Sequence, residues 1–197
     1  MVRVASLIVD HAPEAELYIA KIADKDPSPL ELAAEAIMVA VDDLNVNVLV
    51  FAAASNSGVN LDRAYPARDT HVICVHETDS DGNLGEAVQS AWPVSLCDMW
   101  TNPECVQYKS GTSYATPIVV GIAVFLLQYA RLHLASQAHM LKRQSRMKEV
   151  FWKIAQKTQQ STSRDGYDHI ALSRFSDNLF GKDKKFIDAT ISDLLNG

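Results

Sequence analysis

The segment from Gly111 to Pro117 reads Gly-Thr-Ser-Tyr-Ala-Thr-Pro and leads directly into an apolar run from Ile118 to Leu127. This pattern predicts a loop that turns into a helix, and the apolar run predicts that the helix is buried. Backbone N–H groups at a helix start are unpaired, and the helix dipole places partial positive charge there. Ser113 is therefore expected beside donors for an oxyanion, although an ordinary capping residue on a core helix is the simpler interpretation.

Two neighbours of Ser113 are expected to shape this turn. Gly111 would allow another part of the chain to approach its backbone closely, because it has no side chain. Pro117 is expected in the first turn of the helix, where its missing N–H has little effect.

Four segments, in the expected order, resemble the subtilisin-like serine proteases (subtilases). The pattern Gly-Thr-Ser-x-Ala-x-Pro-x-x-x-Gly from Gly111 to Gly121 is similar to the serine signature of that family. The segment from Val48 to Gly58 resembles the strand and loop that carry the oxyanion-hole asparagine, and Asn56 is the matching residue. The other two matches are Ala64-Tyr-Pro-Ala67 followed by Val72–Val75, and Ala12–Tyr18.

This resemblance implies a fold, a reaction and a set of site residues. The fold would be α/β, a three-layer α/β/α arrangement around a mainly parallel sheet. The function would be that of a serine endopeptidase, in which Ser113 attacks a peptide carbonyl. The amide of Asn56 and the backbone N–H of Ser113 would stabilise the oxyanion. The helical C-terminal part resembles most closely the subtilase domains of fungal intracellular multidomain proteins.

The chain also departs from the pattern of that family. Val4-Ala5 align with the end of the family's histidine block, so the catalytic histidine would fall immediately before Met1, and the aspartate block has no counterpart. Two internal segments are shortened, one of which forms a substrate-cleft loop in the family. We therefore expect an incomplete sheet and little or no peptidase activity from this polypeptide alone. A non-catalytic pseudo-protease that acts as an interaction or regulatory module is the alternative.

No other residue can be assigned from the sequence as the base that activates Ser113. Asp69-Thr-His71 looks like an aspartate block but follows the asparagine loop, which is the wrong order. An α/β-hydrolase esterase is a further alternative, but its serine follows a buried strand, and Val106–Ser110 is too polar for one. The histidines considered were His11, His71, His76, His133, His139 and His169.

Alternating strand and helix patterns predict a parallel α/β sheet with helices on both faces. Predicted strands are 17–22, 48–54, one within 68–77, and 88–92, and 93–110 is predicted as a loop. Predicted helices are 31–41, one that carries Ser113 and runs to about His133, one that carries Met147, Val150, Phe151 and Ile154, and a final one at 186–195. We predict a partial peptidase domain at 1–135 and a helical C-terminal extension at 136–197 packed on it.

Composition limits the partners of the chain. A net charge of −6 argues against nucleic acid and anionic membranes as general partners. The apolar run Ile118–Leu127 is too short to span a bilayer. No cofactor or metal motif is present, so the expected partners are a peptide or protein substrate and a protein that covers the incomplete core. A cytoplasmic or otherwise intracellular location is expected. Cys74 is predicted to be a buried thiol, and Cys97 and Cys105 could pair if oxidised but are expected to be free.

Overall fold

The structure is a computed structural model that describes residues 2–16, 35, 39, 49–54, 66–67, 69–77, 88–91, 96–158, 170 and 182–196. The predicted strand at 17–22 lies outside these residues. Residues 35 and 39 are helical, in agreement with the helix predicted at 31–41.

Four strands and several helices form the described part of the chain. In chain order they are α1 (Val2–His11), β1 (Val50–Ala53), β2 (Val72–Val75), β3 (Val88–Ala91), β4 (Val106–Lys109), α2 (Thr112–His133), α3 (Ala135–Ala138), α4 (Gln144–Thr158) and α5 (Lys184–Asn196). A 3-10 turn, His139–Lys142, joins α3 to α4.

The strands form two pairs of opposite type. Strands β1 and β2 are parallel, with Val50 opposite Val72 and Ala53 opposite Val75. Strands β3 and β4 are antiparallel. Parallel strands with helical connections are the expected elements of an α/β fold, and the mixed helix and parallel-sheet composition agrees with that class. The three-layer arrangement and the domain boundary at residue 135 stay predictions.

The core lies on one face of the parallel pair. Alternate residues of a strand face opposite sides, and Ile73 and Val75 belong to the same buried cluster as Leu126 of α2. The Phe51 and Phe151 rings meet edge to face, with centroids 6.2 Å apart, which joins β1 to α4. The largest fully buried side chains of this cluster come from the C-terminal half: Leu126, Leu141, Met147, Val150, Ile191, Leu194 and Leu195.

The predicted C-terminal helices form and pack on this core. Met147, Val150, Phe151 and Ile154 all lie on the buried face of α4, as their helical spacing predicts. In α5, Ile191, Leu194 and Leu195 are buried, whereas Phe186 is 47% exposed. Residues on both sides of position 135 therefore share one hydrophobic cluster.

Strand β4 corrects the sequence prediction, which assigned 93–110 to a loop. The polar residues Gln107 and Lys109 give this stretch no apolar strand pattern in the sequence. It is extended because it pairs with β3. The strand is partly exposed, with Tyr108 at 65%. It is therefore not the buried strand that precedes the serine of an α/β-hydrolase, and the esterase alternative finds no support.

The cysteines also differ from expectation. Cys97 and Cys105 form a disulfide with their Cα atoms 5.6 Å apart, so these two are not the free thiols that were expected. A separation of eight residues could be judged from the sequence only as compatible with pairing, because Cα distance depends on the turn between them. Cys74 lies in β2 outside any disulfide, and it is half-buried rather than buried.

Helix α2 is longer than the apolar run in its middle. Among the helices that the structure describes, it is long and apolar enough to cross a membrane by length and composition, and 39% of its most apolar window is buried. Core helices of globular proteins pass the same test. Since Leu126 and Ala130 are completely buried against other elements of this chain, α2 has the packing of a core helix.

Candidate functional site

The start of α2 has a backbone conformation that requires glycine. Gly111 precedes the helix with φ 131° and ψ 150°, and it is buried. This region of backbone space is essentially closed to residues that carry a Cβ atom. Glycine is thus required by the turn itself, and not only by the close approach of another part of the chain that the sequence predicted.

Ser113 lies in the first turn of α2 and is exposed to solvent. The first turn closes around it, since the N–H of Tyr114 donates to the carbonyl of Gly111 at 2.8 Å. Within the described part of the chain, neither the Ser113 hydroxyl nor its backbone N–H makes a hydrogen bond. The hydroxyl and a helix-start N–H are therefore both open to a ligand.

Pro117 lies in the second turn of α2, not in the first turn as the sequence predicted. It has no N–H to donate to the carbonyl of Ser113, four residues earlier in the helix. The Thr116 hydroxyl donates to the carbonyl of Thr112 at 2.7 Å, one residue before Ser113. The backbone on the N-terminal side of the proline is thus held by a side chain as well as by the helix itself.

Asn56, the predicted oxyanion donor, lies outside the described residues. The described chain before it ends at Ala54, whose N–H continues the parallel ladder by donating to the carbonyl of Val75 at 2.9 Å. Asn56 follows two residues later in the sequence, beyond the carboxyl end of β1. Ligands of parallel α/β sheets bind at that edge.

Helix α4 is attached to the amino end of β2. Gln144 and Lys148, at the start of α4, both donate to the carbonyl of Thr70, just before β2, at 3.0 Å. These two hydrogen bonds join the C-terminal helices to the parallel pair.

Asp69 and His71 form a pair with each other just before β2. Asp69 Oδ1 accepts from the backbone N–H of His71 at 2.7 Å and lies 3.2 Å from His71 Nδ1. The backbone N–H of His71 is the main cause that lowers the pKa of Asp69, with smaller effects of the His71 ring and Lys148. Within the described residues, neither side chain is hydrogen-bonded to Ser113. These contacts therefore do not make the pair a catalytic dyad for Ser113.

Two other histidines belong to the far end of α2. The ring of His133, in the last turn, lies 4.5 Å from that of Tyr129, and His139 is exposed in the turn after α3. No histidine within the described residues is hydrogen-bonded to Ser113. The side chain of His11 and all of His169 lie outside the description.

Cys74, His76 and Glu77 lie at or just after the end of β2 and were not predicted as a group from the sequence. Cys74 Sγ lies 3.8 Å from His76 Nε2, and one carboxylate oxygen of Glu77 is buried without a hydrogen-bond partner. The available signal was their position at the carboxyl end of an apolar strand, since parallel sheets bind ligands there.

No group of three or more histidine, cysteine, aspartate or glutamate side chains in the described ranges could hold a metal ion. The groups described at the start of α2 are a hydroxyl, backbone donors and the helix dipole. These groups can support nucleophilic attack on a carbonyl and stabilise the negative charge that develops.

Comparison with solved structures identifies similar folds. The fold resembles that of a lanthipeptide protease with a TM-score of 0.62 and 19% identity, over 86% of this chain and 70% of that protein. It also matches the prenylagaramide maturation protease PagA with a TM-score of 0.48 and 22% identity, over 90% of this chain and 60% of that one. No protein-family model matches the chain, and no curated protein sequence is similar to it.

The likeness of the fold to a lanthipeptide protease contradicts the family assignment made from the sequence, which was to the subtilase domains of fungal intracellular multidomain proteins. The assignment was wrong because its motifs specify local geometry, such as a positive-φ glycine before an exposed serine. Proteins of different families can share such a geometry. At 19% identity, the likeness to the lanthipeptide protease establishes the fold alone.

Proposed function

We propose that this chain has a serine-type endopeptidase site in which Ser113 is the nucleophile. The main support for this proposal is the geometry at the start of α2. Gly111 is buried in a conformation that only glycine adopts, and Ser113, two residues later, is exposed with an open N–H. An ordinary capping serine does not need such a turn. The likeness of the fold to a lanthipeptide protease supports the proposal.

In this mechanism the Ser113 hydroxyl attacks the carbonyl carbon of a peptide bond, and the carbonyl oxygen becomes an oxyanion. The backbone N–H of Ser113 donates to it, and the side-chain amide of Asn56 is proposed as the second donor. Such donors are preorganised for the charge of the tetrahedral intermediate, so they lower the barrier without reorganising. A peptide or protein is the proposed substrate.

The proton of Ser113 requires an acceptor, and none is hydrogen-bonded to it within the described residues. A serine hydroxyl without an adjacent base is a weak nucleophile at neutral pH. We therefore expect this polypeptide alone to have little or no turnover of peptides, although an activated phosphonate can still report on the geometry of Ser113.

The test is labelling with a serine-directed fluorophosphonate followed by peptide mapping. The expected product carries the label on Ser113, and Ser113→Ala abolishes it. The matched control is Ser110→Ala, which removes an exposed serine three residues earlier and should leave the labelling unchanged. Labelling that is equal in the native chain and in Ser113→Ala would exclude Ser113 as the nucleophile and favour the pseudo-protease alternative.

A further inference from the structure

The Cys97–Cys105 disulfide closes a loop immediately before β4, the strand that leads to Ser113. We propose that this disulfide is a thiol–disulfide exchange site for a dithiol reductant, and that its reduction lowers the reactivity of Ser113. The second half of this inference rests on the function proposed above, because it concerns the same serine.

The disulfide shortens the connection of the β3–β4 hairpin. Ala91 and Val106 are the last paired residues of that hairpin, and residues 92–105 connect them. The bond between Cys97 and Cys105 bypasses residues 98–104 of this connection. Because the entropy cost of closing a loop grows with its length, the oxidised chain pairs β3 with β4 more readily than the reduced chain.

The same loop sets the first residue of β4. Asn102 lies inside the closed loop, and its side-chain amide bonds both backbone groups of Val106, as a neighbouring strand would. Its Nδ2 donates to the carbonyl of Val106 at 2.6 Å, and its Oδ1 accepts the N–H of Val106 at 3.3 Å. Cys105, just before the strand, has φ 50°, a region that costs a residue with a Cβ atom free energy unless its surroundings hold it there. The disulfide provides that constraint at Cys105.

Strand β4 transmits the constraint to the site. It ends at Lys109, two residues before Gly111. The glycine keeps its unusual φ of 131° only while the chain enters α2 from the direction that β4 fixes. Loosening of β4 therefore gives the start of α2 more freedom, and the N–H and hydroxyl of Ser113 lose their fixed orientation.

The loop is open to a reductant on one side. Met99 and Trp100 are 55% and 97% exposed, Cys97 is half-buried and Cys105 is buried. A thiolate of the dithiol attacks Cys97 Sγ, and the Cys105 thiolate leaves and takes up a proton. The second thiol of the reagent then attacks the mixed disulfide and releases Cys97. The products are two cysteine thiols and one oxidised, cyclic reagent.

The predicted intracellular location, which is untested, gives this chemistry a context. Reducing compartments keep structural disulfides rare, and those that form there are mostly transient, catalytic or redox-sensing. A disulfide that closes a short loop next to a candidate nucleophile fits a redox-sensing use.

The first experiment compares fluorophosphonate labelling of Ser113 before and after treatment with dithiothreitol. We expect the labelling rate to fall at least fivefold on reduction and to recover on reoxidation. The double variant Cys97→Ser/Cys105→Ser should label at the reduced rate and ignore dithiothreitol. Cys74→Ser keeps the disulfide, so its labelling rate, whatever its value in the oxidised state, should fall on reduction by the same factor as in the native chain. Equal rates in the oxidised and reduced native chain would overturn the inference.

A second measurement separates this inference from the proposed function. Amide hydrogen exchange of residues 106–109 and 112–114 does not depend on Ser113 chemistry. Reduction should accelerate exchange in both segments. If Ser113 is not labelled in either redox state, the proposed function fails, and faster exchange on reduction still supports the coupling. Unchanged exchange in both segments on reduction would overturn the proposed coupling between the disulfide and the start of α2.

Discussion

The carbonyl oxygen of Gly111 accepts the N–H of Tyr114 at 2.8 Å, and this bond closes the first turn of α2 around Ser113. The ψ of Gly111, 150°, directs its carbonyl along the helix, and its φ of 131° sets the direction from which the preceding chain arrives from β4. The position of the candidate nucleophile is thus determined two residues before it.

Gly111→Ala should disrupt both stability and reactivity. A Cβ atom at this buried, positive-φ position costs about 1–3 kcal/mol of backbone strain, and the turn can relieve it only by moving. We expect the free energy of unfolding, measured in urea, to fall by about that amount and Ser113 labelling to fall at least tenfold. Ser110→Ala is the local control. Native-like labelling in Gly111→Ala would show that the serine does not depend on this turn.

Asn56→Ala tests the proposed oxyanion donor. Loss of one such donor costs about 10²–10³ in rate, so the second-order rate of fluorophosphonate labelling at Ser113 should fall by about that factor. The urea midpoint should stay within the error of the native chain. Asn60→Ala, four residues further along the same segment, is the matched control. An equal loss in both variants would mean that the segment matters only for folding.

Tyr129→Phe should weaken the attachment of α5 to α2. The Tyr129 hydroxyl donates to Asp188 Oδ1 at 2.7 Å, and Lys184 also bonds that carboxylate. Removal of this hydroxyl should lower the free energy of unfolding at pH 7 by about 1 kcal/mol. Tyr108→Phe, at a tyrosine that is 65% exposed, should have no measurable effect. A loss of the same size at Tyr108 would exclude the Tyr129–Asp188 bond as the cause.

The same pair predicts how stability depends on pH. Burial, and then the hydrogen bond to Asp188, raise the pKa of Tyr129 from 10.0 to about 12. The stability from this shift is present in full below pH 10 and is lost as pH rises through about 12. Urea denaturation between pH 9 and 12 should show this loss in the native chain and a smaller loss in Tyr129→Phe. Parallel pH profiles of the native chain and Tyr129→Phe would contradict a role of Tyr129 in this loss of stability.

At acid pH, the stability that comes from Asp188 depends on pH with the opposite sign. Hydrogen bonds from Lys184 and then from Tyr129 lower the pKa of Asp188 below its usual 3.8. The stability from this shift is present above pH 3.8 and is lost as pH falls through the folded-state pKa. Unfolding measured from pH 6 down to pH 2 should therefore show a smaller acid loss in Asp188→Asn than in the native chain. An equal loss in both would exclude this carboxylate as a contributor.

Leu195→Ala tests whether the C-terminal helix belongs to the same folding unit. The side chain is completely buried in the shared cluster, so its truncation should cost about 2–5 kcal/mol and leave a single unfolding transition. Phe186→Ala removes a side chain of the same helix that is 47% exposed and should cost much less. Two separate transitions would support a distinct unit at 136–197 instead.

Much of the fold could be predicted from the sequence where apolar periodicity was strong. The helix from Thr112 to His133 and the buried face of α4 agree with the prediction because burial selects residues at helical spacing. Strand β4 was not predicted, because its residues are polar and its extended form depends on pairing with β3. The disulfide was not predicted for a related reason, since the distance between two cysteines depends on the turn that joins them.

The sequence by itself determined that Ser113 begins a core helix and that glycine stands two residues before it, because both follow from local chemistry along a few residues. Only the tertiary structure decided that Pro117 falls in the second turn and that the start of α4 bonds to the carbonyl of Thr70 just before β2. It also decided that a disulfide-closed hairpin leads into the serine turn. The physical reason is that these relationships depend on contacts between residues distant in the chain, and short motifs describe only near neighbours.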